Sequence, residues 1–410
     1  MAENERLHAL DSVRGFALMA GVLLHSAMSF LPGFAKSGIP ITDNSPSVTL
    51  GVLFFVIHMF RMTLFFVIAG FFGRMLLQRD GIKRFLWNRA WRILLPLVVF
   101  WFVTFPPILA AAIWGAIKLY GEDEIPMSVP RDGADWLRFP LMHLWFLYVL
   151  MLLYCAAVVC RVLLNQVLDR NERWRQWADR CLASLLRGPF AMPLLAAPTC
   201  ISLCLSPQWF PWFGIPTPDQ SLIPERSAAI AFSTAFFLGW MLERQRNLIR
   251  HWQQSWGIQL GIALTATVIC LSLTGAAPYY SPIADPWRNC GYAVAYTIGV
   301  WSWTFALFGI ALRTGSGHDP RRRYLADASY WIYLMHMPLV FVLQVALMDA
   351  PLHWTLKFPI IFGVTMLVLL FSYHWLVRPT WIGQWLNGRR YPRPTSPGVA
   401  SEGLPGQSSA

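Results

Sequence analysis

Residues 50–72 read LGVLFFVIHMFRMTLFFVIAGFF, twenty-three positions in which His58 and Arg61 are the only ionisable side chains. At about 1.5 Å per residue a helix of this length reaches roughly 34 Å, enough to cross the ~30 Å hydrocarbon core of a bilayer. Nine more apolar stretches flank it, at 12–31, 91–117, 139–160, 189–206, 228–242, 256–274, 291–312, 328–347 and 358–376. Most approach the roughly 20 residues that a spanning helix needs, and 189–206 and 228–242 are the shortest. Of the 410 residues, 56% are hydrophobic and 13% charged. A soluble domain carries about 25% charged residues, so a soluble globular enzyme is excluded. The sequence reads as an all-α polytopic membrane protein, a bundle of about ten transmembrane helices in the lipid bilayer. One integral membrane domain (1–393) is expected, with a Pro-, Ser- and Gly-rich tail (394–410) expected to be disordered.

The net charge of +12 sorts with topology. Alternate connections, counted with both termini, hold 25 of the 33 Lys and Arg residues; the opposite set holds seven, and Arg61 lies within a span. This is the positive-inside pattern, and it puts both termini in the cytoplasm. The basic charge thus needs no nucleic acid. The first apolar stretch is long and contains His25, so it reads as a retained span rather than a signal peptide. The seven cysteines form no extracellular pairing pattern, and no structural disulfide is expected. No internal repeat of the kind common in transporters is visible.

Ionisable groups inside a span are expensive, and each asks for a reason. Asp11, Arg14 and His25 fall on one stripe of the first span, in LDSVRGFALMAGVLLH, because eleven helical steps return to within about 20°. Gly21 lies on the same stripe. Arg14 and His25 are separated by roughly 16 Å along the axis, with His25 nearer the outer face. A plainer reading makes Asp11 and Arg14 an interfacial ion pair and His25 a neutral core histidine. Arg61 falls at mid-depth, where a permanent charge needs an acid, carbonyls or an anionic ligand. His58, His143, Trp145, Tyr333 and His336 are further candidates for substrate binding. His143 and Trp145 also suit an interfacial anchor. Arg74, Arg84, Arg89 and Arg92 form a basic cluster that could meet an anionic cytoplasmic ligand. There is no HExxH, CxxC or GxxxxGK[ST] string, and no metal site is expected.

The order of these strings resembles membrane acyltransferase family 3. The features that carry the likeness are Arg14 followed by ten residues and His25, then FRMTLFFVIAGFF, RFLWNRAWRILLPLVV, HLWFLY and SYWIYLMHMPLV. FRMTLFFVIAGFF, HLWFLY and the ending LVRPTWIGQWLNGRR resemble in particular the branch that succinylates osmoregulated periplasmic glucans. Ala69 stands where the family usually has serine, so no role passes to a hydroxyl there. The resemblance implies an inner-membrane enzyme that moves an acyl group, succinyl in this branch, from cytoplasmic acyl-CoA (succinyl-CoA or acetyl-CoA) to hydroxyls of an extracytoplasmic glycan. Acyl-CoA is then a donor substrate rather than a resident cofactor. Under that reading His25 is the base or the acyl carrier, Arg14 meets the donor, and Asp11 holds Arg14. Arg61 stabilises the oxyanion or receives a succinyl carboxylate, and Arg74, Arg84, Arg89 and Arg92 attract donor phosphates. Acetylation of a lipopolysaccharide or exopolysaccharide is the alternative within the class. A transporter of an anionic or sugar ligand is the alternative outside it.

Overall fold

A computed structural model of the chain describes residues 3–122, 138–164, 173–188, 191–245, 248–314, 319–388 and 390–391. The expected tail, 394–410, and the side chain of Asp11 lie outside the described residues. All regular structure among the described residues is helical: α1 Glu3–Ala27, α2 Val48–Arg89, α3 Leu95–Tyr120, α4 Trp145–Leu163, α5 Arg173–Arg187, α6 Ala191–Cys204, α7 Arg226–Arg244, α8 Ile249–Thr274, α9 Pro286–Thr314, α10 Pro320–Leu347, α11 Trp354–Ser372 and α12 Trp381–Asn387, with short 3-10 and π-helical turns between them.

Among the described residues, seven helical segments are long and apolar enough to cross a membrane: Ser12–Phe30, Val48–Tyr120, Met142–Leu163, Trp252–Thr274, Pro286–Thr314, Pro320–Leu347 and Trp354–Val377. The second is 73 residues long and contains two of the ten expected stretches. Gly81, at φ 74° and ψ 169°, breaks it. That backbone conformation is open to glycine and strained for other residues. Eight of the ten stretches therefore fall in seven segments. The other two fall outside these segments: the stretch at 189–206 contains α6, which has 14 residues, about 21 Å, and is interrupted by Pro198. The stretch at 228–242 becomes α7, whose apolar face is diluted by Ser227, Ser233 and Thr234.

α2 packs along α7, α8 along α9, and α1 against both α10 and α2. The α2–α7 crossing is set by two glycines. A Cβ on Gly70 would lie 1.9 Å from the Phe236 carbonyl oxygen, and one on Gly239 would lie 1.9 Å from that of Val67. Backbones this close exclude any side chain, as in other small-residue crossings of membrane helices. The neighbouring Ala69 carbonyl accepts a 3.2 Å hydrogen bond from the Tyr154 hydroxyl on α4.

Lys357, counted from sequence among the loop charges, is fully buried at the start of α11. Its ammonium donates to both carboxylate oxygens of Asp43 (3.0 and 3.1 Å) and to Asn44 Oδ1 (2.7 Å). This pair ties the loop after α1 to α11.

Candidate active site

Two cavities in the bundle are lined by the candidate residues. One, of about 730 Å³, is lined by His25, His58, Arg61, His143, Trp145, Tyr333 and His336. All of the substrate-binding candidates named from sequence, together with His25, therefore share one chamber. The other, of about 440 Å³, is lined by Arg14, Arg89 and Arg92, and also by Arg322, Arg323, Asp319 and Asp327. Four residues line both: Leu18, Phe65, Phe146 and Tyr333. The Phe65 and Phe146 rings lie 5.4 Å apart, and Phe146 meets Tyr333 edge-on at 6.1 Å. The histidine cavity and the arginine cavity thus abut at a thin, mostly aromatic partition.

Helix geometry explains why Arg14 and His25 face different chambers. They share a stripe of α1 but are separated by about three turns, and Leu18 of the partition lies between them. His25 remains partly accessible from its chamber rather than being sealed by packing. Its ring lies 5.3 Å, centroid to centroid, from that of His336, which lies 5.3 Å from that of His143. His58 stacks on Phe54 at 5.6 Å, and Trp145 stacks on Phe232 at 5.3 Å.

Hydrogen bonds fix two tautomers. His336 Nδ1 lies 2.8 Å from the Tyr333 carbonyl oxygen, and His143 Nε2 lies 3.1 Å from that of Leu334. A carbonyl only accepts, so each of these nitrogens carries the proton. The opposite nitrogens, His336 Nε2 and His143 Nδ1, therefore present lone pairs, and both are buried without a partner. His25 Nδ1, His58 Nδ1 and Arg61 Nε are likewise buried and unpartnered. Each such group costs about 1–3 kcal/mol when left unsatisfied, so five around one chamber mark a place shaped for a ligand.

His143 is held by unusual backbone. Met142 has φ 51°, the one positive φ at a non-glycine position among the described residues. Its N–H donates 3.0 Å to the Asp219 carbonyl, and the Tyr333 hydroxyl donates 2.8 Å to the His143 carbonyl. Asp219 itself lines the histidine cavity, in the loop before α7, and burial pushes its carboxyl above its ordinary range.

In the arginine cavity, Arg89 lies 5.5 Å from the centroids of both the Phe85 and Tyr154 rings. A π-helical turn, Ala90–Leu94, follows and carries Arg92. A Cβ on Gly388, whose φ is 77°, would lie 1.7 Å from Arg92 Nη2, so this glycine clears room for the guanidinium. Two of the arginines assigned to the donor do not reach the cavity. Arg74 pairs with Glu243 at 3.0 Å. Arg84 is exposed in a surface recess beside Trp87 and Trp91. Arg322 and Arg323 were read from sequence only as topological charge. At the start of α10 both stay exposed while lining this cavity, which the run RRR alone does not reveal.

Helices apolar enough to cross a bilayer, around a chamber of imidazoles that abuts a cationic one, define a multi-pass membrane protein with a polar chamber inside its bundle. The chain belongs to the acyltransferase 3 family, whose acyltransferase domain model matches residues 7–374. It is 28% identical over 343 residues, 82% of each chain, to glucans biosynthesis protein C of Salmonella paratyphi A (strain ATCC 9150 / SARB42) and of Salmonella agona (strain SL483). The protein of the same name from Salmonella enteritidis PT4 (strain P125109) is 28% identical over 156 residues, 37% of this chain and 38% of the relative. No solved structure matches.

Proposed function

We propose that the protein is an inner-membrane O-acyltransferase that moves a succinyl group from cytoplasmic succinyl-CoA to hydroxyls of a periplasmic glucan. The observation that carries this reading is the pair of cavities meeting at Leu18, Phe65, Phe146 and Tyr333. The charge asymmetry of the connections supports a cytoplasmic arginine cavity. There Arg14, Arg89, Arg92, Arg322 and Arg323 suit the phosphates of a coenzyme A thioester. The partition admits the thin acyl-bearing arm, and the histidine cavity receives the sugar hydroxyl from the far side. The glucan acceptor is supported by the likeness to glucans biosynthesis protein C, and the succinyl group by the strings that resemble the succinylating branch.

His25 is the candidate base. It takes the hydroxyl proton as the alcohol oxygen attacks the thioester carbonyl. The tetrahedral intermediate collapses, the carbon–sulfur bond breaks, and the imidazolium returns the proton to the leaving thiolate. The products are an ester and free thiol. His143 and His336, with lone pairs directed by their tautomers, accept hydrogen bonds from sugar hydroxyls. Trp145 supplies an apolar wall for the sugar.

The test is mass spectrometry of periplasmic glucans from cells with and without the gene. Succinyl increments that vanish on deletion and return on complementation are expected. Acetyl increments would replace succinyl by acetyl, and unchanged glucans with a loss of acylation on another envelope glycan would replace the acceptor.

A further inference from the structure

Arg61 is the one basic residue within a span that the charge asymmetry leaves unexplained. It is 9% exposed, lines the histidine cavity and makes no ion pair among the described residues. Its Nε is buried without a partner. The neighbouring helix is shaped around it: a Cβ on Gly21 would lie 2.8 Å from Arg61 Nη1, so glycine at this position leaves the notch that the guanidinium fills. Gly21 is one turn from His25. Side chains lean toward the N-terminus of their own helix. On these antiparallel helices that brings the His25 ring and the Arg61 guanidinium toward each other.

A guanidinium stays charged, and in a low-dielectric chamber a permanent charge calls for a counter-ion in the resting complex. An oxyanion exists only in the transition state and does not meet that need. Two of the chamber's imidazoles do not compete for an anion, since His143 Nδ1 and His336 Nε2 present lone pairs. A carboxylate entering the chamber is therefore directed to Arg61, whose planar fork matches it.

Resting on the acyl-transfer reading above, we infer that Arg61, seated in the notch at Gly21, binds the terminal carboxylate of the transferred acyl group and so selects a dicarboxylic monothioester over a neutral acyl thioester. Arg61 is thus a specificity-determining residue beside the base.

The experiment compares initial rates of transfer to glucan from succinyl-CoA and from butyryl-CoA, which has the same chain length without the charge, using purified protein in lipid nanodiscs. Wild type should favour succinyl. Arg61→Gln should lower the succinyl-to-butyryl ratio of kcat/KM by roughly 10- to 100-fold, the range for losing a charge-assisted hydrogen bond. Gly21→Ala keeps the charge and displaces only the far end of a flexible side chain; it should lower the same ratio by several-fold while the protein stays folded by size exclusion. Equal losses from both donors in these variants would instead assign Arg61 to the oxyanion and overturn the inference. So would a wild type without donor preference. A wild type that transfers from neither donor would overturn the acyl-transfer reading itself, and the inference with it.

Discussion

Gln344 of α10 donates a 2.8 Å hydrogen bond from its side-chain amide to the backbone carbonyl of His25 in the last turn of α1. That carbonyl is one of the four that a helix leaves unpaired at its end. Gln344 is fully buried and also reaches the Ser26 carbonyl at 3.3 Å. It fixes the end of α1 about two turns along α10 from His336. If His25 is the base, as proposed, Gln344→Leu should lower kcat by roughly tenfold with little change in acceptor KM, since the ring is misaligned rather than removed. A role confined to stability would reduce the yield of folded protein and leave kcat per folded molecule at the wild-type value.

His25 itself is expected to matter more. Removing a general base typically lowers the rate by about 10²–10⁴-fold. His25→Ala should fall in that range at normal membrane abundance, read by acylated glucan per unit of protein. On the proposed role of His336 in holding sugar hydroxyls, His336→Ala should raise acceptor KM more than it lowers kcat. Full activity in His25→Ala would hand the proton to another of the clustered imidazoles.

The positive φ of Met142 gives a sharper local test. This backbone is strained for side-chain-bearing residues and is worst for β-branched ones. Met142→Gly should keep activity within about threefold. Met142→Val should cost about 1–2 kcal/mol and move His143, measured as a lower unfolding temperature together with weaker acceptor binding. Equal behaviour of the two variants would show that the conformation is unimportant to the site.

Hydropathy and charge asymmetry made the helical bundle legible, because the bilayer imposes both on the sequence directly. The stripe of α1 was legible too: helical arithmetic alone put Arg14 and His25 on one face, and the two cavities take one each. What sequence could not give was convergence between distant helices. Nothing local in YWIYLMHM or HLWFLY says that His336 and His143 will meet His25; that depends on how α10 packs on α1. Arg74 shows the opposite error. It read as donor-facing, yet Glu243, far along the chain, captures it. Gln344 and Met142 escaped notice because a buried amide and a backbone angle carry no signal in composition. The fifth and sixth apolar stretches, the shortest in the sequence, form α6 and α7 and lie outside the seven segments long and apolar enough to cross a membrane.

The buried Lys357–Asp43 pair predicts an asymmetric stability response. Lys357→Met strands a carboxylate in a dry site and removes the donor to Asn44 and to the Met348 carbonyl. A loss of about 3–5 kcal/mol is expected. Lys357→Met combined with Asp43→Leu removes both charges and should recover part of it. Unfolding in detergent by differential scanning fluorimetry reads both. Additive losses in the double variant would show that the two residues do not act as a pair.

The partition makes the last prediction. Leu18 lies between Arg14 and His25 on α1 and lines both cavities, facing Phe65, Phe146 and Tyr333 across the connection. On the proposed route, a thioester entering through the arginine cavity passes these four side chains on its way to His25. Leu18→Trp adds a ring to a passage already walled by three, so it should block the arm without touching the imidazoles or the cationic residues. Transfer should fall more than tenfold, while binding of free coenzyme A, which needs only the arginine cavity, stays within about twofold by calorimetry. The split distinguishes passage from binding. A variant that loses both has lost the cationic chamber, and one that keeps wild-type transfer shows that the acyl group reaches His25 by another route.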